Sequence, residues 1–144
     1  MDSQNYSNHV RLVPGYHFIL LGILVLTLIG SVVNLIKSFG DHERLYSASL
    51  IVVLTICMIL LAYYARIFPL KAQDRAIRAE ENLRHFVLAG KLLDPRLNIG
   101  QVIALRFAPD DEFVDLAKKA AEGNMEPDAI KRAVKNWRPD YHRA

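Results

Sequence analysis

Carboxylate side chains form the most concentrated group of candidate ligands in this sequence. Asp110, Asp111 and Glu112 follow one another directly, which raises the hypothesis of a metal site. They also follow Pro109 at the predicted start of a helix, where acidic side chains favour the positive helix N-terminus. Adjacent helix positions point in different directions, so these carboxylates would not converge on one ion. We therefore interpret them as helix-start residues and predict no metal site.

The histidine and cysteine residues are too scattered to indicate a catalytic site. Cys57 is the only cysteine and lies in an apolar run, which excludes a disulfide within the chain and predicts an inert side chain. The sequence contains no phosphate-binding loop and no dinucleotide glycine fingerprint. We therefore predict that the protein is not an enzyme and has no catalytic residue, no cofactor and no small-molecule substrate that can be identified. The five histidines, none paired at ligand spacing, are His9, His17, His42, His85 and His142.

Basic residues near the C-terminus are the remaining candidates for ligand binding. Lys131, Arg132, Lys135 and Arg138 share a predicted helix face that could contact phosphates. From Ala65 onward, however, the chain holds 15 of the 18 Lys and Arg residues and also 12 of the 15 Asp and Glu residues. Nucleic-acid-binding domains are strongly basic, whereas this region is mixed in sign. We therefore predict a solvated helix face and no nucleic-acid partner.

Two uncharged runs, residues 18–36 and 46–64, dominate the first half of the chain. Each has 19 residues, which as a helix reaches about 28 Å and matches the hydrocarbon thickness of a bilayer. No cleavage site of signal-peptide type follows the first run. The sequence therefore predicts an N-terminal segment over residues 1–15 and a two-helix transmembrane hairpin over residues 16–64, with residues 37–45 as the loop.

Basic residues after the second run predict the orientation of this hairpin. Arg66, Lys71, Arg75 and Arg78 follow the run closely, and basic residues beside a span stay in the cytoplasm. With two spans, both termini are expected in the cytoplasm and the loop of residues 37–45 outside.

Small and polar residues recur along both runs at helical spacing and predict where the two helices pack. Small side chains let helix backbones approach, and hydroxyl or amide groups can bond across the contact. The runs hold no ionisable residue of the kind that marks an ion or proton route, so a packing seam is favoured over transport. The predicted packing residues are Thr27, Gly30, Ser31, Asn34, Ala48, Thr55 and Ala62.

The remaining residues, 65–144, predict a small helical cytoplasmic domain: a long juxtamembrane helix at about 70–92, then three shorter helices. Pro69 either kinks one long helix or starts a second one. The last helix is expected to carry an apolar stripe as far as Trp137 and to stop at Pro139. The fold class is thus all-α. The apolar residues that share one face of the juxtamembrane helix are Ala72, Ala76, Ala79, Leu83, Phe86 and Val87.

Three blocks of the sequence carry a resemblance: "YYARIFPLKAQDRAIRAEENLRHF", "QVIALRFAPDDEF" and "IKRAVKNWRPDYHR". They resemble an uncharacterised family of bacterial two-span membrane proteins, a domain of unknown function. The resemblance extends over nearly the whole chain. It implies bacterial origin, a two-span topology and a helical cytosolic tail, and hence the bacterial cytoplasmic (inner) membrane as the location. It implies no activity and therefore no catalytic residue.

The functional hypothesis is a non-enzymatic accessory or scaffold subunit of the membrane. It would bind another membrane protein or itself, as a homo-oligomer or larger complex, through the span seam and the helical tail. Membrane lipids are the other expected partners, and one alternative is a protein whose tail responds to anionic lipids; a further alternative is an unrecognised membrane-associated enzyme. Arginine and aromatic residues are enriched at interfaces, so the candidate contacts are Arg75, Arg78, Phe86, Arg106, Phe107 and Trp137.

Overall fold

The structure, a computed structural model, describes residues 4–10 and 12–140, and every regular element in that part is helical. A π-helical segment, Gly15–Leu20, continues directly into α1, Leu21–Lys37. The later helices are α2, His42–Ala89; α3, Ile99–Leu105; α4, Asp110–Glu122; and α5, Pro127–Ala133. The all-α prediction is confirmed for these residues.

The chain divides into two compact units. The first, here called the apolar unit, comprises Leu12–Phe68. The second, here called the tail unit, combines the N-terminal residues up to position 11 with the chain from Pro69 onward. The N-terminal residues therefore group with the tail, although the 57 residues of Leu12–Phe68 separate them along the chain.

Helix α2 replaces two elements that the sequence predicts separately. The predicted second span, 46–64, and the predicted juxtamembrane helix, 70–92, are parts of one helix of 48 residues with Pro69 inside it. Proline fixes a φ angle that a helix accepts, but it lacks the N–H that would bond to the carbonyl of Ala65, and its ring crowds that carbonyl. Helix α2 continues through Pro69 all the same. The alternative in which a second helix begins at Pro69 is therefore not found. Gly90, at φ +69°, follows the helix and supplies the left-handed conformation common after a helix C-terminus.

In the apolar unit, the predicted packing residues fall into two groups. Four of them are buried within the unit, whereas three are exposed. The hydroxyls of Thr27, Ser31 and Thr55 donate to carbonyls of their own helices at 2.8 Å rather than across to the other helix. Serine and threonine commonly bond to the preceding turn in this way. The buried group is Ser31, Ala48, Thr55 and Ala62, and the exposed group is Thr27, Gly30 and Asn34.

The tail unit has its own hydrophobic core, formed mainly by α3, α4 and α5. Leu105, Phe113 and Ile130 are fully buried in it. Local chemistry fixes the starts of the helices: Asn98 and Gln101 form a capping box at α3, and Pro109 precedes α4 as the sequence predicts. Together these elements hold the end of α2 and residues 134–140 in place.

The last helix is shorter than the sequence predicts. Helix α5 ends at Ala133, and Val134 is already extended, so Trp137 is not on a helix. The carboxylate of Glu112 accepts the backbone N–H groups of Lys135 and Asn136 at 2.9 and 3.1 Å. These donors would serve helical bonds if α5 continued, and the carboxylate satisfies them in the extended form instead.

Helix α2 turns an unexpected face toward the tail core. Its buried residues in the tail unit are Ile77, Glu81 and His85, which recur every four positions. The apolar face indicated by the sequence is exposed instead: Leu83 is 64% and Val87 75% accessible to solvent. The helix therefore buries a partly charged face and leaves its apolar face outside.

Candidate functional site

A buried carboxylate stands at the centre of the charged contacts in the tail unit. The Glu81 side chain is 6% exposed, and its two oxygens lie 3.0 Å from Arg84 Nη1 and 3.6 Å from Arg138 Nη1. Glu81 and His85 lie one turn apart on α2, and both are buried. Glu81 pairs with arginines and not with His85. The two cationic neighbours compensate the charge of this buried carboxylate, whereas an isolated buried carboxylate would carry the full cost of desolvation.

Arg84 extends these contacts from α2 to the start of α4. Its guanidinium lies 2.6 Å from Asp110 Oδ1, donates to the carbonyl of Ala108 at 2.8 Å, and stands 4.2 Å over the ring of Phe113. Its partner on α2 is Glu81, three positions earlier, and not Glu80 at the usual four-residue spacing. Asp110 thus serves an ion pair between helices, consistent with its interpretation as a helix-start residue.

An aromatic stack lies beside this network and contains three of the six candidate contact residues. The Phe107 ring stacks on Trp137 with a centroid distance of 4.6 Å, and the Arg106 guanidinium lies 4.7 Å from the same ring. The backbone N–H of Arg138 donates to the Phe107 carbonyl at 2.8 Å. Phe107 is 1% exposed and therefore belongs to the core, while Trp137 is half-buried. The stack fixes the extended C-terminal residues against the end of α3.

Between α2 and these C-terminal residues runs a polar groove of about 540 Å³. Its charged groups are largely paired: Arg138 with Glu81, and Arg106 with Asp140 at 3.3 Å. Glu80 is the exposed carboxylate of this lining and makes no ion pair within the described residues. The groove can therefore accept a polar chain segment. It is lined by Gln73, Ala76, Ile77, Glu80, Glu81, Arg106, Arg138, Pro139 and Asp140.

His85 borders a second, smaller cavity of about 310 Å³. Its Nδ1 lies 2.6 Å from the carbonyl oxygen of Lys91, and because that oxygen only accepts, Nδ1 carries the proton. The ring also meets Phe113 edge-on. At the rim, hydrogen bonds from the side chain and backbone of Arg96 lower the pKa of Asp94 to about 2. His85 is thus a structural residue that fixes the turn after α2.

The N-terminal segment docks on the tail unit, which sequence reasoning missed. The Asp140 N–H donates to the side-chain oxygen of Gln4 at 2.7 Å, and the His9 ring lies 5.7 Å from that of Trp137. The Tyr6 hydroxyl accepts from Arg132 at 3.1 Å, and this bond raises the pKa of Arg132. The only local signal is that Tyr6 and His9 are aromatic residues in an otherwise polar stretch.

The basic face predicted near the C-terminus is partly used within the chain. Arg132 bonds Tyr6, and the Lys131 ammonium lies 3.3 Å from His9 Nε2 and 3.6 Å from Asp128. Only part of this face therefore remains available to an outside ligand. Across the described residues, no group of three or more His, Cys, Asp or Glu side chains is arranged to hold a metal ion.

The residues predicted to set membrane orientation lie along α2. Lys71, Arg75 and Arg78 are exposed, whereas Arg66 is half-buried. Phe86, the remaining candidate contact, is 52% exposed. Of the six candidate contacts, Arg75, Arg78 and Phe86 are thus the accessible group on the outside of α2.

Comparison with known proteins places the chain in one family. No curated protein and no solved structure matches it. The model of a family of unknown function, DUF6526, matches residues 1–144. The chain therefore belongs to DUF6526, a family of unknown function.

Proposed function

We propose that the protein is a non-enzymatic integral membrane subunit. The observation that carries the proposal is the exposure of its apolar helices. Helical residues 15–37 and 42–89 are long and apolar enough to cross a membrane, yet only 11% and 17% of their most apolar windows are buried. A core helix of a soluble protein would be mostly buried. Exposed apolar surface on this scale supports contact with a membrane.

The docked N-terminal segment supports an even number of spans. Gln4, Tyr6 and His9 contact the tail unit, which supports a topology in which the N-terminal segment and the tail share one side of the membrane. A single crossing would separate them. The basic residues Lys71, Arg75 and Arg78 follow the second apolar stretch, which favours a cytoplasmic tail. We therefore favour the bacterial cytoplasmic membrane, with both termini inside and the connection between α1 and α2 outside.

As a scaffold or accessory subunit, the protein would present the outer surface of α2 to a second copy or another membrane protein. Arg75, Arg78 and Phe86 are accessible there and are of the residue types enriched at interfaces. The buried network around Glu81 and Arg84 acts as the frame that holds this surface.

Extraction and labelling test the membrane assignment. The protein should stay in membranes washed with alkaline carbonate. In a Cys57→Ser background, a membrane-impermeant maleimide should label Glu43→Cys from outside, but not Ser7→Cys or Lys118→Cys, which are matched exposed positions on the other side. Release by carbonate, or labelling of all three positions alike on intact cells, would contradict the proposal.

Size and composition test the scaffold role. Solubilised in mild detergent, the protein should run as an oligomer or with a heterologous membrane protein. A monomer without any co-purifying partner would argue strongly against this role.

Anionic lipid is a second candidate ligand because of one observation. Lys71, Arg75 and Arg78 lie on one side of α2, are exposed, and make no ion pair within the described part of the chain. Each basic residue near an anionic surface gains about 1 kcal/mol. Anionic vesicles should therefore protect the tail from protease more than neutral vesicles do. Arg75→Gln with Arg78→Gln should remove the difference, whereas Lys118→Gln with Lys119→Gln should retain it.

A further inference from the structure

The exposed side of α2 in the tail unit carries a heptad pattern. Its apolar residues are spaced by four, three, four and three positions, which is the spacing of the a and d positions of a coiled coil. All of them are exposed, and Leu83 and Phe86 are 64% and 52% accessible. The opposite side of the helix, with Ile77 and Glu81, packs on the tail core. The five residues, here called the α2 seam, are Ala72, Ala76, Ala79, Leu83 and Phe86.

Charges beside the seam indicate what covers it. In this register Arg75 occupies a g position and Glu80 the following e position. Both side chains are exposed, and neither makes an ion pair in the part of the chain that the structure describes. In two parallel helices in register, a g residue of one helix lies beside the e residue that comes five positions later on its partner. Arg75 of each helix would therefore lie beside Glu80 of the other, which gives two opposite-charge contacts. An antiparallel pair would bring g residues together and lose this match.

We propose that the α2 seam joins two copies of this chain as a parallel, in-register coiled coil. The inference rests on the proposed function, because insertion in one membrane points α2 of every copy in the same direction. The α2 seam is therefore covered by a second copy of the same chain. Arg75 of each copy pairs with Glu80 of the other.

Membrane anchoring accounts for how so short a seam can work. Residues 72–86 form about two heptads, some 22 Å of helix, which is too little for a stable isolated coiled coil. Two copies held in one membrane meet at a raised effective concentration, which favours weak contacts. The small alanines toward Pro69 let the backbones approach, and Leu83 and Phe86 supply the larger apolar contact area.

Charge exchange tests the pairing in the full chain. Copies in the Cys57→Ser background, labelled at Lys118→Cys with a donor or an acceptor dye, are reconstituted in vesicles of neutral lipid. Arg75→Glu and Glu80→Arg should each lower the association constant between like copies on the order of tenfold. This loss appears as weaker energy transfer between the two dyes. An equal mixture of the two variants should restore transfer, because both contacts then join opposite charges. A mixture as weak as the separate variants would overturn the proposal.

Cross-linking tests the contact directly. With Cys57→Ser, Ala79→Cys at a d position should form a disulfide dimer with diamide, because d residues of a pair approach within the reach of a disulfide. Lys71→Cys, an exposed position of the same helix that points away from the seam, is the matched control. Equal cross-linking of the two variants would overturn the proposal, and circular dichroism checks that both remain helical.

The same experiments separate this inference from its foundation. If the protein resists carbonate extraction but the mixture is not restored, the seam does not join two copies, and the membrane assignment stands. If a heterologous protein cross-links to Ala79→Cys in place of a second copy, the seam belongs to that partner and the inference is wrong. If Glu80→Arg strengthens and Arg75→Glu weakens binding to anionic vesicles without restoration in the mixture, a lipid surface is the ligand.

Discussion

Replacing Glu81 with glutamine should destabilise the tail unit far more than the same change one position earlier. The Glu81 side chain is 6% exposed and pairs with Arg84, whose own side chain is 12% exposed. Removing one member of a buried ion pair costs about 3–5 kcal/mol when the other charge is left alone. Here Arg84 keeps Asp110 at 2.6 Å, and Arg138, at 52% exposure, can turn to water. The expected loss is therefore smaller, about 1–3 kcal/mol.

The assay follows the only tryptophan of the chain. Trp137 stacks on Phe107 in the tail unit, so its fluorescence reports unfolding of this unit in the full chain held in detergent. A loss of about 2 kcal/mol should lower the midpoint of thermal unfolding by roughly 8–16 °C for a unit of this size. Urea titration of the same signal gives the free energy directly.

The control is Glu80→Gln. Glu80 is exposed and makes no ion pair among the described residues. At a protein concentration low enough to keep copies apart, its loss should therefore change the free energy of unfolding by less than about 0.5 kcal/mol. If Glu81→Gln lowered the free energy of unfolding as little as Glu80→Gln, the buried contacts of Glu81 with Arg84 and Arg138 would not stabilise the tail unit.

Three further predictions concern contacts elsewhere in the tail unit. The Arg96 hydrogen bonds lower the pKa of Asp94 to about 2, so the stability that Asp94 contributes is present above about pH 4 and is lost as the pH falls through about 2. The urea midpoint of Asp94→Asn should therefore differ from that of the unchanged protein at pH 5, and the difference should shrink as the pH falls through that range. Tyr6→Phe removes the acceptor of the Arg132 bond and should cost about 0.5–1.5 kcal/mol, measured by urea titration, with a loss of protection of the N-terminal segment from protease. Gln101→Ala removes a buried side chain that accepts from the Asn98 N–H and donates to the Met125 carbonyl, and so joins two helix starts; it should cost about 1–3 kcal/mol, and a change below about 0.5 kcal/mol would show that these bonds are replaceable.

The helix starts of the tail could be predicted because they depend on residues close in sequence. Pro109 precedes α4 and Pro127 begins α5, as proline does at helix starts, and Asn124 at φ +42° lies in the turn after α4. The end of α5 could not be predicted. It depends on Glu112, which is distant in the chain and captures the backbone donors that a longer helix would use.

The buried face of α2 could not be predicted, for a different reason. Hydrophobic spacing identifies a face that can pack, but it does not say against what. On this helix the apolar spacing marks the outer face, while Arg84 is drawn inward by Asp110 and the Ala108 carbonyl. The pairing of Arg84 with Glu81 in place of Glu80 follows from that tertiary contact, and no local rule indicates it.

The same distribution of side chains constrains how α2 can act. A buried ion pair adds little net stability compared with apolar packing. The Glu81–Arg84 pair therefore does not by itself make this orientation of α2 more stable than one that buries the apolar face. The orientation does expose Leu83 and Phe86, whose burial in the tail would have been favourable by about 1.5–3 kcal/mol each. That unused free energy becomes available only when a second surface covers the α2 seam. The tail should therefore gain stability on association, and its unfolding midpoint should rise with protein concentration.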